Sequence, residues 1–297
     1  MQTALVPSAA LRTQACLMTL AVAVLGAVVL SALMVAERAG LTATLGAAAI
    51  YGAVAIAVLR GLATHAPHRR FGAANAITLV RAGCAAVLAG VALEALLGGE
   101  ASRLAAGDSW AWALAFGALL ALLLDAVDGW LARRSGLASP FGARLDMEVD
   151  ALFILAVSVL TVSTGRAGAW VLLAGLSRYL FVAAGFAFPS LAAPLAPSLR
   201  RKAVCALVGA VLVTALFPPI PADLTGILLG IGMVALIWSF GVDTVWLLSN
   251  REGHRTIASP GHGDRKQLPG AAVLPETVLP KAVLKKAGDL EDQIGPT

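Results

Sequence analysis

Charge is what this sequence has least of. Of its 297 residues only 13% are Asp, Glu, Lys or Arg, while 59% are hydrophobic; a soluble domain carries about a quarter charged. So little charge cannot cover a water-facing surface, which excludes the two soluble domains that length alone suggests. Cysteine is scarce as well. Cys16, Cys84 and Cys205 lie far apart, in or at the ends of apolar blocks. That placement excludes a disulfide framework and a thiolate metal site, and reads as three small buried hydrophobes. No stretch reads as an organelle signal, and the first apolar block is too long and too promptly followed by a second to be a cleaved signal peptide.

What is present is a series of apolar blocks of about twenty residues, the length that crosses the hydrocarbon of a bilayer. Their edges predict eight spans, at 16–36, 41–59, 76–97, 109–131, 146–164, 168–188, 203–217 and 223–248. The predicted fold class is therefore all-α, a polytopic integral membrane protein. Basic residues orient it. Arg12, Arg60, Arg69, Arg70, Arg133, Arg134, Arg144, Arg200, Arg201 and Lys202 fall on one side, against Arg38, Arg103 and Arg166 on the other. By the positive-inside rule both termini and the loops after spans 2, 4 and 6 are cytoplasmic. The net charge of +5 is thus a topology signal with some attraction to anionic headgroups, and no nucleic-acid partner is expected. Beyond residue 250 the chain turns polar and rich in Pro and Gly, which predicts a disordered cytoplasmic tail over 251–297.

Against this background the carboxylates stand out, because an ionisable side chain on a membrane helix is costly. Asp125 and Asp128 lie i,i+3 at the end of span 4, and Asp146 and Asp150 lie i,i+4 at the start of span 5. Each pair shares a helix face, and the short loop between the spans makes them antiparallel neighbours. Four carboxylates converge on one cytoplasmic volume, where they repel unless cations sit among them. Oxygen ligands select hard divalent ions, and a pair of such ions suits phosphate-ester chemistry. Gly129, one turn past Asp125, lets a ligand approach the helix backbone, and Arg133, a further turn along, is a planar donor for phosphate oxygens. Glu148 falls on the other side of its helix and is left out of the site.

The run Asp125-x2-Asp128-Gly129-x2-Ala132-Arg133-x8-Gly142-x3-Asp146-x3-Asp150 resembles the signature of the CDP-alcohol phosphatidyltransferases at every specified position. Eight fixed residues at about 5% each match by chance on the order of once in ten billion starts. Upstream, Asn75-x2-Thr78-x2-Arg81 is similar to the opening of that family's first core helix. The resemblance covers about residues 65–250. It implies a catalytic core at 61–250 of six helices, preceded by a two-helix hairpin at 1–60. It further implies that Asp125, Asp128 and Asp146 bind two divalent cations, Mg²⁺ or Mn²⁺, and that Asp150, at the edge of the same metal site, is the general base. Gly129, Ala132, Arg133 and Gly142, with Asn75, Thr78 and Arg81, would serve the CDP moiety.

The same resemblance implies transfer of a phosphatidyl group from CDP-diacylglycerol to an alcohol, with release of CMP, in phospholipid biosynthesis. A homodimer is expected from the resemblance, and the cytoplasmic membrane of a bacterium from the Ala/Leu/Gly-heavy chain without an organelle signal. Basic residues around the later spans, Arg178, Arg200, Arg201 and Lys202, are candidates for an acceptor phosphate; Arg178, inside span 6, needs a partner such as Asp243 or a ligand. Two other classes put aspartates in a membrane. An intramembrane prenyl-diphosphate transferase carries its acidic motifs on helices far apart in sequence, and a divalent metal transporter places its acids near mid-membrane on broken helices. Neither requires the Gly-x2-Ala-Arg run.

Overall fold

The computed structural model describes residues 7–65, 68–98, 109–137, 139–188 and 198–249. The expected tail at 251–297 lies outside the described residues. Within them the chain forms eight α-helices and no strand: α1 (Ala9–Val35), α2 (Leu41–Gly61), α3 (Ala73–Gly98), α4 (Ser109–Ser135), α5 (Pro140–Ser163), α6 (Leu172–Ala187), α7 (Leu199–Leu216) and α8 (Ala222–Ser249). Each takes up one of the eight predicted spans. Six are long and apolar enough to cross a membrane. The other two differ from the expectation for a physical reason: α5 carries Arg144, Asp146, Glu148 and Asp150 in its first half, and α7 has eighteen residues that open on Arg200, Arg201 and Lys202.

The starts of α1, α3, α5 and α7 lie three to seven residues earlier than hydropathy predicts, because polar caps and first turns precede the apolar run. Ser8 caps α1, accepting from the Leu11 amide at 3.2 Å. Ser139 caps α5, accepting from the Gly142 amide at 3.1 Å, with Pro140 at the first helical position. Both are favourable N-terminal chemistry.

The bundle is organised around α3, which packs against α1, α2, α4 and α5. Lipid supplies no hydrophobic drive between helices, so close approach depends on small residues. The interior is accordingly rich in alanine: Ala43, Ala82, Ala85, Ala115, Ala118 and Ala121 are buried, while Leu17, Leu20, Val28, Ile227, Ile231, Val234 and Ile237 point outward. Cys16 and Cys205 are exposed as well, which corrects the reading of all three cysteines as buried. At the α2–α3 crossing a Cβ on Gly90 would lie 2.3 Å from the Ala43 carbonyl oxygen and 2.8 Å from Ala47 Cβ. At the top of that crossing the Glu94 carboxylate accepts from the amide of Gly40 at 2.9 and 3.0 Å, capping α2 where the glycine has no side chain of its own. A similar contact joins α5 to α6, where a Cβ on Gly175 would lie 2.4 Å from Leu155 Cα.

The hairpin of α1 and α2 is not a loose addition. Leu11, Ala15, Val22, Tyr51, Val58 and Leu62 share a buried cluster with Phe71, Leu79 and Ala82 near the start of α3 and with Phe141, Leu145 and Val149 at the start of α5.

Gly90→Ala is expected to lower stability by about 1–3 kcal/mol, since the added methyl meets backbone that cannot yield without separating the helices. Gly52→Ala, where nothing lies within 4 Å, is expected to leave the melting temperature unchanged or slightly higher. Thermal unfolding of the two purified variants checks the contrast.

Candidate active site

α4 and α5 both pack against α3, and the end of α4 and the start of α5 bring their carboxylates together at the first turns of α3. Asn75, Thr78 and Arg81 repeat every three residues on α3, so they share the face that looks toward both motif helices. The Arg81 guanidinium is at the centre. Nη1 donates to Asp128 Oδ2 and to Asp146 Oδ1, each at 2.8 Å. Nη2 lies 2.8 Å from Asp125 Oδ1 and also donates to Asp150 Oδ1. One planar cation thus touches all four aspartates of the motif, the fork geometry that arginine has and lysine lacks. Arg81 is only 2% exposed and Asp128 3%. The side chains of Asp125, Asp146 and Asp150 remain 39%, 43% and 42% exposed. The cage is therefore closed on the α3 side and open on the other.

Thr78 completes the closed side. Its hydroxyl donates to Asp128 Oδ2 at 2.9 Å, with the Ala74 carbonyl 3.0 Å away as the alternative acceptor. Asn75 is buried between α3 and α5; its Nδ2 donates to the Phe71 carbonyl at 2.5 Å, and its Oδ1 lies 2.9 Å from where a Gly142 Cβ would be. Gly142 thus lets the start of α5 approach α3 closely. On α4, only Arg133 Nη1, at 3.4 Å, lies near the position of a Gly129 Cβ. The Arg133 guanidinium folds back along its helix over the glycine, and Arg133 is exposed. Arg134 lies over the Trp130 ring at 5.1 Å.

The basic residues assigned to an acceptor are tied elsewhere. Arg178 pairs with Glu148. Asp243, an example of the partner Arg178 needs, instead accepts from Arg200 at 2.6 Å and Arg201 at 3.1 Å. Arg200 also donates to the Ser239 carbonyl and hydroxyl at 2.6 and 2.8 Å and lies over the Trp238 ring. Lys202 is exposed. Glu148, left out of the cage on helical geometry, has Arg178 on α6 as its partner.

The cage suits hard cations on two counts. Asp125, Asp128 and Asp146 each offer an oxygen, all within 4.8 Å of one another. Asp128 Oδ1 is buried without a hydrogen-bond partner, an arrangement that is costly for an acceptor unless something else uses its lone pairs.

A sequence model described as CDP-alcohol phosphatidyltransferase matches residues 71–238, more than half of the chain. The chain belongs to that family. No curated protein and no solved structure matches it. The matched region begins at Phe71, two residues before α3, and includes every aspartate of the cage. CDP-alcohol phosphatidyltransferases transfer a phosphatidyl group from a CDP-alcohol to an acceptor within a membrane, and they use divalent metal ions.

Two contributors went unnoticed in the sequence. Ser139 was legible in principle, since a serine followed by proline marks a helix start. His65, which touches Ser139, had no signal of spacing or composition. The role of Arg81 was only half visible: its motif position suggested the nucleotide, whereas its contacts are with the carboxylates.

Arg81→Gln removes the only cation that touches all four aspartates among the described residues. Breaking a buried pair typically costs about 3–5 kcal/mol. The variant is expected to unfold at a lower temperature than the unsubstituted protein in EDTA, and to gain more from added Mg²⁺. Thermal unfolding with and without the ion reads both effects.

Proposed function

We propose that this protein transfers the phosphatidyl group of CDP-diacylglycerol to the hydroxyl of a small alcohol, releasing CMP, in phospholipid biosynthesis. The observation that carries this reading is the convergence of Asp125, Asp128, Asp146 and Asp150 on a single point between α3, α4 and α5. Asp125, Asp128 and Asp146 hold two divalent cations, Mg²⁺ or Mn²⁺, with Asp150 at their edge. When bound, the ions neutralise the charge of the diphosphate and of the departing CMP. Arg133 donates to a phosphate oxygen from beyond Gly129. Gly129 and Ala132 keep the α4 face low enough for the nucleotide, and Asn75, Thr78 and Gly142 shape its opposite wall.

Asp150 lies one turn further into α5 than Asp146. It takes the proton of the acceptor hydroxyl as the oxygen attacks the lipid-side phosphorus and the bond to the CMP oxygen breaks. A site at a helical end keeps the acyl chains of the donor in lipid while its nucleotide stays in water. The reading places the site and both termini on the cytoplasmic face of a bacterial membrane, in a homodimer. Arg178, Arg200, Arg201 and Lys202 favour a phosphorylated polyol as acceptor. The presence of Glu148 and Asp243 as their partners means that an acceptor phosphate competes with those carboxylates. The direct experiment is CMP release from CDP-diacylglycerol and Mg²⁺ or Mn²⁺ by the purified protein over an acceptor panel, with the product lipid identified by mass. Absence of CMP across the panel overturns the reading.

Two substitutions separate the roles. Asp150→Asn is expected to lower turnover about 10²–10⁴-fold, the usual worth of a positioned base, while Mg²⁺-dependent donor binding persists. Asp125→Asn is expected to lose that binding as well. Equal loss of binding in both variants makes Asp150 a metal ligand first. Arg133→Ala is expected to raise KM for CDP-diacylglycerol about tenfold with kcat little changed, the worth of one charge-assisted hydrogen bond. An unchanged donor KM removes Arg133 from the phosphate.

A further inference from the structure

The helix that carries Asp146 and Asp150 begins against a turn that lies outside the matched region. His65, the last residue of a 3₁₀ turn (Leu62–His65) that follows α2, is 0% exposed. Both ring nitrogens are engaged: Nδ1 lies 2.7 Å from Ser139 Oγ and Nε2 2.9 Å from the Arg70 carbonyl oxygen. A carbonyl only accepts, so Nε2 carries a hydrogen. In the neutral ring Nδ1 then accepts from the Ser139 hydroxyl, whose oxygen accepts in turn from the Gly142 amide at 3.1 Å. The imidazole therefore links three segments: the end of the hairpin, the approach to α3, and the N-cap of α5.

Packing reinforces the link. The Phe141 ring meets His65 edge-on at 5.6 Å, and a Cβ on Gly61 would come within 3.0 Å of that ring. Phe141, Leu145 and Val149 are spaced i, i+4, i+8 and are buried against the hairpin. Asp146 and Asp150 are the next residues after Leu145 and Val149, about 100° around the helix. One face of these turns is thus held by the hairpin while the adjoining face presents the carboxylates to Arg81. Any rotation or slide of the start of α5 moves both carboxylates together. An apolar ring would fill the same space but would accept nothing from Ser139, and so would leave the direction of the cap unfixed.

We propose that His65 is a positioning residue for phosphatidyl transfer: acting through Ser139, it ties the N-terminal hairpin to the start of α5 and so sets the depth and rotation of Asp146 and Asp150. The inference rests on the reading under Proposed function. Its test uses full-length purified protein carrying His65→Phe, His65→Asn, Ser139→Ala, or His65→Phe with Ser139→Ala. Three quantities are measured: the unfolding temperature, Mn²⁺ affinity by electron paramagnetic resonance, and CMP release against donor concentration. His65→Phe is expected to lower kcat about tenfold, within the range that small misplacements cost, and to weaken Mn²⁺ binding, with donor KM within about twofold. His65→Asn, whose Oδ1 can replace Nδ1 as the acceptor for Ser139, is expected to recover most of that loss. The double variant is expected to be no worse than the worse single variant, as for two groups acting through one bond.

A His65→Phe protein that is only less stable, with kcat and Mn²⁺ affinity unchanged, overturns the proposal, and so do effects of His65→Phe and Ser139→Ala that multiply. If His65→Phe does not fold, Ser139→Ala decides alone: unchanged kcat and Mn²⁺ affinity in that variant overturn it. CMP release by the unsubstituted protein is the separate test of the functional reading. Should that fail, the Mn²⁺ affinities of the variants still decide the role of His65.

Discussion

Four aspartates gathered at one end of a helical bundle repel one another, and this protein meets that repulsion with the buried guanidinium of Arg81, which reaches every one of them. Much of the architecture follows from that requirement. The guanidinium has to sit where α4 and α5 both present their carboxylates, so α3 has to lie across both and be held there. A divalent ion on the same oxygens competes with Arg81 for them. The carboxylates proposed to hold the cations are, in this structure, the ones that a protein cation already organises. A charge cluster of this kind is costly to gather and adaptable once gathered, because one set of oxygens can serve a fixed guanidinium or mobile ions.

What holds α3 in place is packing of small residues. Gly90 against Ala43 and Ala47, together with Glu94 capping α2 through Gly40, locks the hairpin to one side of α3. The buried cluster of Leu62, Phe71, Phe141, Leu145 and Val149 locks α5 to the same hairpin. The first two helices lie outside the matched region, yet they pack against α3 and α5, two of the three helices that bound the cage. In a bilayer, where apolar surface gains nothing by leaving lipid, such interlocking does the work that burial does in water.

The helices themselves were largely legible, because a bilayer imposes a length and a polarity that every span has to meet. The eight blocks became eight helices, with misjudged starts where capping serines and charged first turns precede the apolar run, as at Ser8 and Ser139. Sequence spacing also placed Glu148 outside the cage. Partner choice was another matter. Arg178, inside a span, calls for a partner such as Asp243 or a ligand; in the structure Glu148 takes Arg178, and Asp243 takes Arg200 and Arg201. Which of several carboxylates meets a given arginine depends on helix order and rotation around the bundle, and neither is written in hydropathy.

The sequence by itself determined the membrane class, the near-even succession of helices, and the spacing that puts each pair of aspartates on one helix face, because 3.6-residue periodicity and bilayer thickness are local constraints. Only the tertiary structure decided that Arg81 would stand among all four carboxylates, that Gly142 would close on Asn75, and that a histidine in the turn after α2 would reach the cap of α5. Those contacts join residues from 44 positions apart, Arg81 and Asp125, to 74 apart, His65 and Ser139. They exist because three helices cross at one depth, which is a property of how the faces of the bundle interlock and not of any one segment.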